Sequence, residues 1–118
     1  SAGTGDWHRG EHADQRMRSA ALRRNIRLEG RARQIRADDF TSFDLVLAMD
    51  RDNHGILARL AQPSAGHRLR MVMEYASRFR ETEVPDPYYG GPDGFDRGVD
   101  MLEDASQGLL ESIRAGLK

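Results

Sequence analysis

The sequence predicts an α/β fold, because segments with the pattern of helices alternate with segments that have the pattern of buried strands. Residues 44–50 form an almost unbroken apolar run between two aspartates, and residues 69–75 form a second apolar run. Residues 95–117 carry the longest amphipathic helical pattern in the chain. With 118 residues and no internal repeat, the chain is expected to be a single domain, 1–118, or part of one.

The first third of the chain predicts one helix and one short helical turn after a glycine-rich loop. Residues 14–25 have a weak apolar face and begin at Asp14, a residue type that often caps the N-terminus of a helix. A helical turn is expected at 38–43, and its two apolar anchors are Phe40 and Phe43.

The apolar run at 44–49 predicts a strand of a parallel sheet that is covered on both faces. The chain then turns into a helix over about 53–61, which Asp50 or Asp52 could cap. Ligands bind at the carboxyl ends of parallel strands in open α/β sheets, so residues 49–53 are a candidate part of a binding site. Simple helix capping explains the same residues and is the favoured interpretation of their spacing.

Residues 69–75 predict a second strand, and a long loop is expected from 76 to 97. A loop of this length in a compact domain is more often functional than idle. The final helix, 95–117, has one apolar stripe, so Leu109 and Leu110 are expected to be buried, whereas Glu103 and Asp104 should lie off the stripe. The stripe consists of Val99, Leu102, Ala105, Leu109, Leu110, Ile113 and Leu117.

Composition narrows the function classes. The formal net charge is −1, so no overall charge favours nucleic acid or an anionic membrane, and the arginines between 9 and 36 are better explained as a solvated face. No apolar run approaches the roughly 20 residues that span a bilayer, and a soluble cytoplasmic protein is expected. The absence of cysteine excludes disulfides, thiolate metal sites and a cysteine nucleophile within these residues. His8 and His12 are spaced i, i+4, but Gly10 between them disfavours a helix and a metal site.

Asp86 lies between Pro85 and Pro87, which fix the backbone on both sides of the carboxylate. A residue that hands a proton to a leaving group needs such fixed placement. Tyr88 and Tyr89 follow directly and could form the walls of a binding site around a flat ring. An ordinary turn before a helix accounts for the same residues. Trp7, the single tryptophan, lies in a polar loop and could either cap the core or form another binding wall.

Several stretches together resemble the low molecular weight protein tyrosine phosphatases, and the resemblance covers nearly the whole chain. They are Ser1-Ala2-Gly3-Thr4, Asp6-Trp7-His8, Ala32-Arg33-Gln34-Ile35, Asp39-Phe40, Phe43 to Asp50 with Asn53, and Asp86-Pro87-Tyr88-Tyr89-Gly90. The resemblance implies a four-stranded parallel sheet of flavodoxin-like winding, with flanking helices. It also implies hydrolysis of phosphotyrosine in protein substrates through a phosphocysteine intermediate, without a cofactor.

The resemblance also assigns roles to individual residues. Asp86 falls on the aspartate that protonates the departing phenolate and then activates water. Trp7, Tyr88 and Tyr89 fall on the aromatic walls around the substrate ring. Ser1 falls on a serine that is hydrogen-bonded to the phosphate loop, and Asp50 and Asn53 fall on a segment beside the site.

The sequence departs from the family pattern in one respect. The family places a strand, a phosphate loop of the form Cys-x5-Arg, a helix and most of a second strand before the segment that matches Ser1. These elements are absent here, and with them the nucleophile and the arginine clamp for the phosphate oxygens. The chain is therefore expected to be the C-terminal portion of a phosphatase domain and inactive as given, although a naturally shortened product is an alternative.

The same departure predicts an unpaired apolar edge on the strand at 44–49, which could pair with another copy of the chain. A catalytically dead binding module that keeps the phosphatase scaffold is the alternative function. Arsenate reduction on the related fold requires several cysteines and is disfavoured, because the chain contains none.

Overall fold

A computed structural model describes residues 2–5, 9–61, 68–85 and 92–116 of the chain. Four α-helices, two strands and one 3₁₀ helix alternate along these residues, which confirms the predicted α/β class. In chain order they are α1 (Gln15–Leu22), α2 (Asp39–Ser42), β1 (Val46–Ala48), α3 (Arg51–Leu60), β2 (Leu69–Met71), the 3₁₀ helix (Val72–Tyr75) and α4 (Pro92–Gly116).

The two strands run parallel, with Val46 opposite Leu69 and Ala48 opposite Met71. One isolated parallel bridge joins Gly3 to Gln34 outside this sheet. The parallel arrangement agrees with the sequence prediction. Within the described ranges the sheet has two strands, so the four-stranded sheet that the resemblance implies is not seen there.

Side chains from β1 enter two separate parts of the core. Ala48 packs with Phe40, Leu57 and Leu69 on one face of the sheet. Leu47 points to the opposite face, where it packs against a cluster that joins the 3₁₀ helix to α4. This alternation follows from the two-residue period of a strand and agrees with the prediction of a strand covered on both faces.

The helix starts follow local signals in the sequence. Asp14 caps α1, because its side chain accepts a hydrogen bond from the Arg16 N–H at 2.8 Å. The helix ends at Leu22 rather than near residue 25, and Asn25 has the left-handed φ of 61° that takes the chain away from the helix. The turn at α2 was predicted, but of its two anchors only Phe40 is buried, and Phe43 is 52% exposed.

The prediction of a strand over 69–75 is wrong beyond Met71, where the chain enters the 3₁₀ helix. A strand would send the consecutive residues Val72 and Met73 to opposite faces. Both are instead buried in the cluster that contains Met101 of α4. A short apolar run is compatible with either structure, and packing against α4 decides between them.

The long loop is shorter than predicted, because α4 begins at Pro92 rather than near residue 95. Proline is favoured in the first turn of a helix, where its missing N–H costs no hydrogen bond. Phe95 and Val99 in the first half of α4 pack against Ala20 of α1.

The predicted stripe of α4 is correct at Val99 and Ala105 but wrong at its C-terminal end. Leu110 and Ile113 are 41% and 48% exposed, and residues 111–116 are all exposed. The prediction missed Met101, which is fully buried, and placed the buried Asp104 off the stripe. The face that packs against the 3₁₀ helix therefore lies about one residue away from the predicted stripe. Leu117 lies outside the described residues.

No helix in the described ranges is both long enough and apolar enough to cross a membrane.

Candidate active site

The carboxyl end of β1 is where several polar segments meet. Met49 follows the strand, and its carbonyl oxygen accepts a hydrogen bond from the Val84 N–H at 2.8 Å. Val84 is buried in the same cluster as Met73 and Met101. The chain that leads into residue 86 is therefore attached to the end of β1 through its backbone and to the core through a side chain.

Two carboxylates bind the first turn of α3. Asp50 Oδ1 accepts a hydrogen bond from the Asn53 N–H at 2.7 Å, which confirms its predicted role as a cap. Glu83 Oε1 accepts one from the Arg51 N–H at 2.8 Å. Carboxylates are favourable at helix N-termini because free N–H groups and the helix dipole point toward them. The second bond also ties the segment before Val84 to α3.

Residues 76–85 form the described part of the loop between the 3₁₀ helix and α4. The start of this loop is attached to α4 through Asp104, which is 6% exposed. Its Oδ2 accepts hydrogen bonds from the N–H groups of Arg78 at 2.9 Å and Phe79 at 3.0 Å. Its Oδ1 accepts from the N–H and the hydroxyl of Ser77, at 3.1 and 3.2 Å. Burial alone would raise the pKa of Asp104, but the hydrogen bonds from Phe79, Ser77 and Arg78 outweigh it and hold this pKa below its ordinary value.

Asp39 is the second buried carboxylate in the described residues, and it is 5% exposed. The Arg33 guanidinium donates to both of its carboxylate oxygens, at 2.9 and 3.0 Å, and the Arg36 N–H donates at 2.8 Å. The Arg33 hydrogen bonds, followed by that of Arg36, hold the pKa of Asp39 below its ordinary value despite burial. Both residues lie within stretches that resemble the phosphatase family, but no local pattern predicts that the two side chains form a pair.

The Arg33 backbone holds the glycine-rich start of the chain in place. The Gly3 N–H donates to the Arg33 carbonyl and the Ile35 N–H donates to the Gly3 carbonyl, both at 2.8 Å. One edge of β1 pairs with no strand in the described ranges and is called its free edge here. Between this edge and the segment around Gly3 lies a hollow of about 350 Å³. Its lining includes Ala2, Met49 and Asn53. One open hollow thus borders both the start of the chain and the end of β1.

Comparison with known proteins identifies the family. The whole chain, residues 1–118, matches the family described as low molecular weight phosphotyrosine protein phosphatase. The chain belongs to this family. A Synechocystis protein named for the same phosphatase is 47% identical over 116 residues, which are 96% of this chain and 73% of the relative. A low molecular weight protein-tyrosine-phosphatase of Streptomyces coelicolor is 42% identical over 117 residues, 97% of this chain and 71% of the relative.

Solved phosphatase structures share the fold. A protein tyrosine phosphatase from Entamoeba histolytica matches with a TM-score of 0.95 at 36% identity, covering 100% of this chain and 76% of that one. YfkJ from Bacillus subtilis matches with a TM-score of 0.86 at 29% identity, covering 100% and 74%. The chain therefore spans about three quarters of the length of the relatives that it matches.

Two of the predicted site residues lie in the described part of the chain. Asp50 and Asn53 are half-buried at the carboxyl end of β1, and Asn53 lines the hollow. The other predicted residues, Ser1, Trp7, Asp86, Tyr88 and Tyr89, lie outside the described residues. Their described neighbours in sequence are informative, because Ala2 borders the hollow and Val84 is bonded to Met49 beside it.

The described residues hold no group of three or more histidine, cysteine, aspartate or glutamate side chains that could bind a metal ion. His12 is exposed, and His8 lies outside the described residues. The buried carboxylates Asp39 and Asp104 are both occupied by hydrogen bonds to arginine or backbone groups, and of the two Asp39 lines the hollow.

Proposed function

We propose that this chain supplies the general acid of a phosphotyrosine phosphatase site and that the site acts on phosphotyrosine in proteins. Membership of the phosphatase family supports the reaction class. The observation that carries the proposal is the hydrogen bond from the Val84 N–H to the Met49 carbonyl, because it brings the chain to the carboxyl end of β1 two residues before Asp86. Ligands of open α/β sheets bind at that end of the strands.

Asp86 is the proton donor in this proposal. A tyrosine phenolate has an ordinary pKa near 10, so breaking its bond to phosphorus is easier when an acid protonates the leaving oxygen. The carboxylate then removes a proton from the water that releases phosphate. Trp7, Tyr88 and Tyr89 surround the ring of the substrate, and Ser1, Asp50 and Asn53 support the segments around it.

The nucleophile of the proposed reaction is a cysteine thiolate, and none of the 118 residues is a cysteine. In the reaction the thiolate bonds to phosphorus as the phosphorus–oxygen bond breaks, and water later displaces the thiolate. We therefore propose that the chain alone is inactive and that the thiolate comes from residues outside it. The hollow beside the free edge of β1 supports this proposal, because an extended segment placed there could pair with Val46–Ala48.

The same free edge favours a second candidate, in which two copies of the chain pair through β1 and the scaffold serves as a binding module. Light scattering across a concentration series separates the two. Dimers that dissociate when a charged residue replaces Met49, which is 42% exposed at the end of β1 and lines the hollow, support the second candidate, whereas a monomer at all concentrations contradicts it.

Hydrolysis of para-nitrophenyl phosphate and phosphotyrosine tests the proposed function. The 118-residue chain is measured alone and again with the Cys-containing N-terminal segment of a relative joined before Ser1. We expect no turnover from the chain alone. The joined polypeptide should turn over and lose about 10²–10⁴-fold in rate on Asp86→Ala. Asp38→Ala is the matched control, because Asp38 is exposed and its side chain forms no cap.

Two results would contradict the proposal. Turnover by the chain alone that falls on Asp86→Ala would mean that a nucleophile other than cysteine operates. Turnover by the joined polypeptide that is insensitive to Asp86→Ala would remove the acid role.

A further inference from the structure

Asp104 is the most fully engaged carboxylate in the described residues of the chain. Its two oxygens accept four hydrogen bonds, all from the three consecutive residues 77–79. The side chain is 6% exposed and lies on the face of α4 that also carries Met101 and Ala105. A buried charge is costly unless hydrogen bonds replace its water, and here they come from one short segment.

This segment begins the loop that ends at the site. Phe79 packs against the cluster that contains Val84 and Met101, and the guanidinium of Arg97 lies 5.5 Å from the centre of its ring. Five residues later, Val84 enters the same cluster and bonds to Met49. The loop is therefore attached to α4 where it leaves the 3₁₀ helix and to β1 where it approaches residue 86.

We propose that Asp104 is a positioning residue of the phosphatase site, which fixes residues 77–79 and through them the course of the loop toward Asp86. This inference rests on the proposed function of Asp86 as the acid. Asp104 lies 18 residues beyond Asp86 in the sequence and on a different element. It acts by holding the backbone of the loop and has no contact with substrate.

The alternative is that Asp104 only stabilises the fold, like Asp100 on the same helix, which forms an ion pair with Arg24 near the end of α1. The two roles differ in which part of the protein is affected when the carboxylate is removed. A positioning role loosens the loop from 77 to 85 and affects steps that need the acid. A purely structural role weakens the whole domain and lowers all activities together.

Hydrogen–deuterium exchange of the 118-residue chain tests the first difference without any need for turnover. Asp104→Asn keeps the shape of the side chain and removes its charge and one acceptor. We expect amides of 77–79 to exchange at least about tenfold faster and those of 80–84 to follow, while amides in the last turn of α3 stay unchanged. Ser77→Ala removes one of the four hydrogen bonds and should give a smaller change in the same residues. Asp100→Asn is the control on α4 and should leave 77–85 unchanged.

The leaving group tests the second difference in the joined polypeptide described above. Phenyl phosphate needs a proton on its departing oxygen, whereas dinitrophenyl phosphate leaves without one. Asp104→Asn should lower kcat/KM for phenyl phosphate about tenfold more than for dinitrophenyl phosphate, since misplaced catalytic groups lose rate steeply. The ratio kcat/KM is compared because it reports the step in which the ester oxygen leaves, whereas hydrolysis of the phosphocysteine is common to both esters.

Unchanged exchange at 77–85 in both Asp104→Asn and Ser77→Ala overturns the inference. An equal loss of kcat/KM for the two esters also overturns it, because Asp104 would then act on folding alone. If the unaltered joined polypeptide hydrolyses neither ester, the proposed function fails, and exchange alone decides whether Asp104 holds the loop.

Discussion

Replacing Gly108 with alanine should destabilise the phosphatase chain, although the same change in most helices is stabilising. Gly108 lies in α4 where the 3₁₀ helix crosses it. A Cβ atom built on Gly108 would stand 1.8 Å from the carbonyl oxygen of Tyr75 and 2.9 Å from its carbonyl carbon. These are backbone atoms, so no side-chain rotation can relieve the overlap.

The size of the effect follows from the displacement that the extra carbon requires. The contact must lengthen from 1.8 Å to at least 3.0 Å, so α4 and the 3₁₀ helix have to separate by about 1.2 Å. That movement loosens the packing between Met73 and Met101. Overpacking of this kind costs about 1–3 kcal/mol, and the higher helix propensity of alanine returns about 1 kcal/mol. The difference is a net loss of about 0–2 kcal/mol, and because the overlap is with backbone atoms we expect a value near the upper end, about 2 kcal/mol.

Urea denaturation of the two chains measures the difference as a lower midpoint with an unchanged slope. Gly55→Ala is the control, because Gly55 is exposed in α3 and has nothing within 4 Å of the added carbon. That variant should gain about 0.5–1 kcal/mol. A Gly108→Ala chain as stable as the unaltered chain would show that α4 and the 3₁₀ helix do not approach so closely.

Three further predictions follow from burial, capping and charge. Met101→Ala should lower the free energy of unfolding by about 2–5 kcal/mol, because Met101 is fully buried. Leu110→Ala should lower it by less than about 1 kcal/mol, because Leu110 is 41% exposed. Equal losses in the two variants, measured by urea denaturation, would contradict the assignment of the buried face. Asp50→Ala should lower the free energy of unfolding by about 1 kcal/mol, and Asp50→Ser should restore most of that loss, because serine also caps helices. An Asp50→Ala chain as stable as the unaltered chain would show that the cap does not stabilise the fold. The pKa of Asp39 is lowered in the fold, so the stability advantage over Asp39→Asn should be full above pH 3.8 and shrink as the pH falls below it. Denaturation of both chains across a pH series checks this prediction. A difference in the free energy of unfolding that is the same at every pH would refute it.

Local features of the sequence were enough to predict the class of fold. Asp14 and Asp50 cap helices as their residue type suggests, and the apolar run at 44–49 contains β1. The run at 69–75 was misjudged because consecutive apolar residues suit a buried strand and a 3₁₀ helix alike. Only the neighbouring face of α4 determines that Val72 and Met73 point the same way.

The helical period of α4 was evident from the sequence, but the buried face was not. Leu110 and Ile113 are apolar and lie on a continuous stripe, yet the described part of the chain leaves both largely exposed. The helical spacing of the apolar residues predicts that Asp104 lies off the stripe, and carboxylates are rarely buried in any case. Its burial depends on three N–H groups that lie 25 to 27 residues earlier, and no local pattern reports such a contact.

The candidate site was predicted in part for the same reason. The motif around Asp86 and the segment from Met49 to Asn53 are local in sequence and could be recognised. The pairing of Arg33 with Asp39, and the bond between Val84 and Met49, join residues across turns and required the fold. The position of Asp86 itself stays a prediction, as do its aromatic neighbours and the cytoplasmic location.

Asp104 also limits how related sequences can vary. The carboxylate is matched to three backbone donors that a particular chain path presents, and Gly108, one helical turn later, leaves room for that path. A lysine or leucine at 104 would leave those donors unpaired, so the segment at 77–79 would have to change its sequence or conformation too. Substitutions at 104, at 108 and at 77–79 should therefore be inherited as a set, and transplanting one of them between relatives should fail where transplanting all of them succeeds.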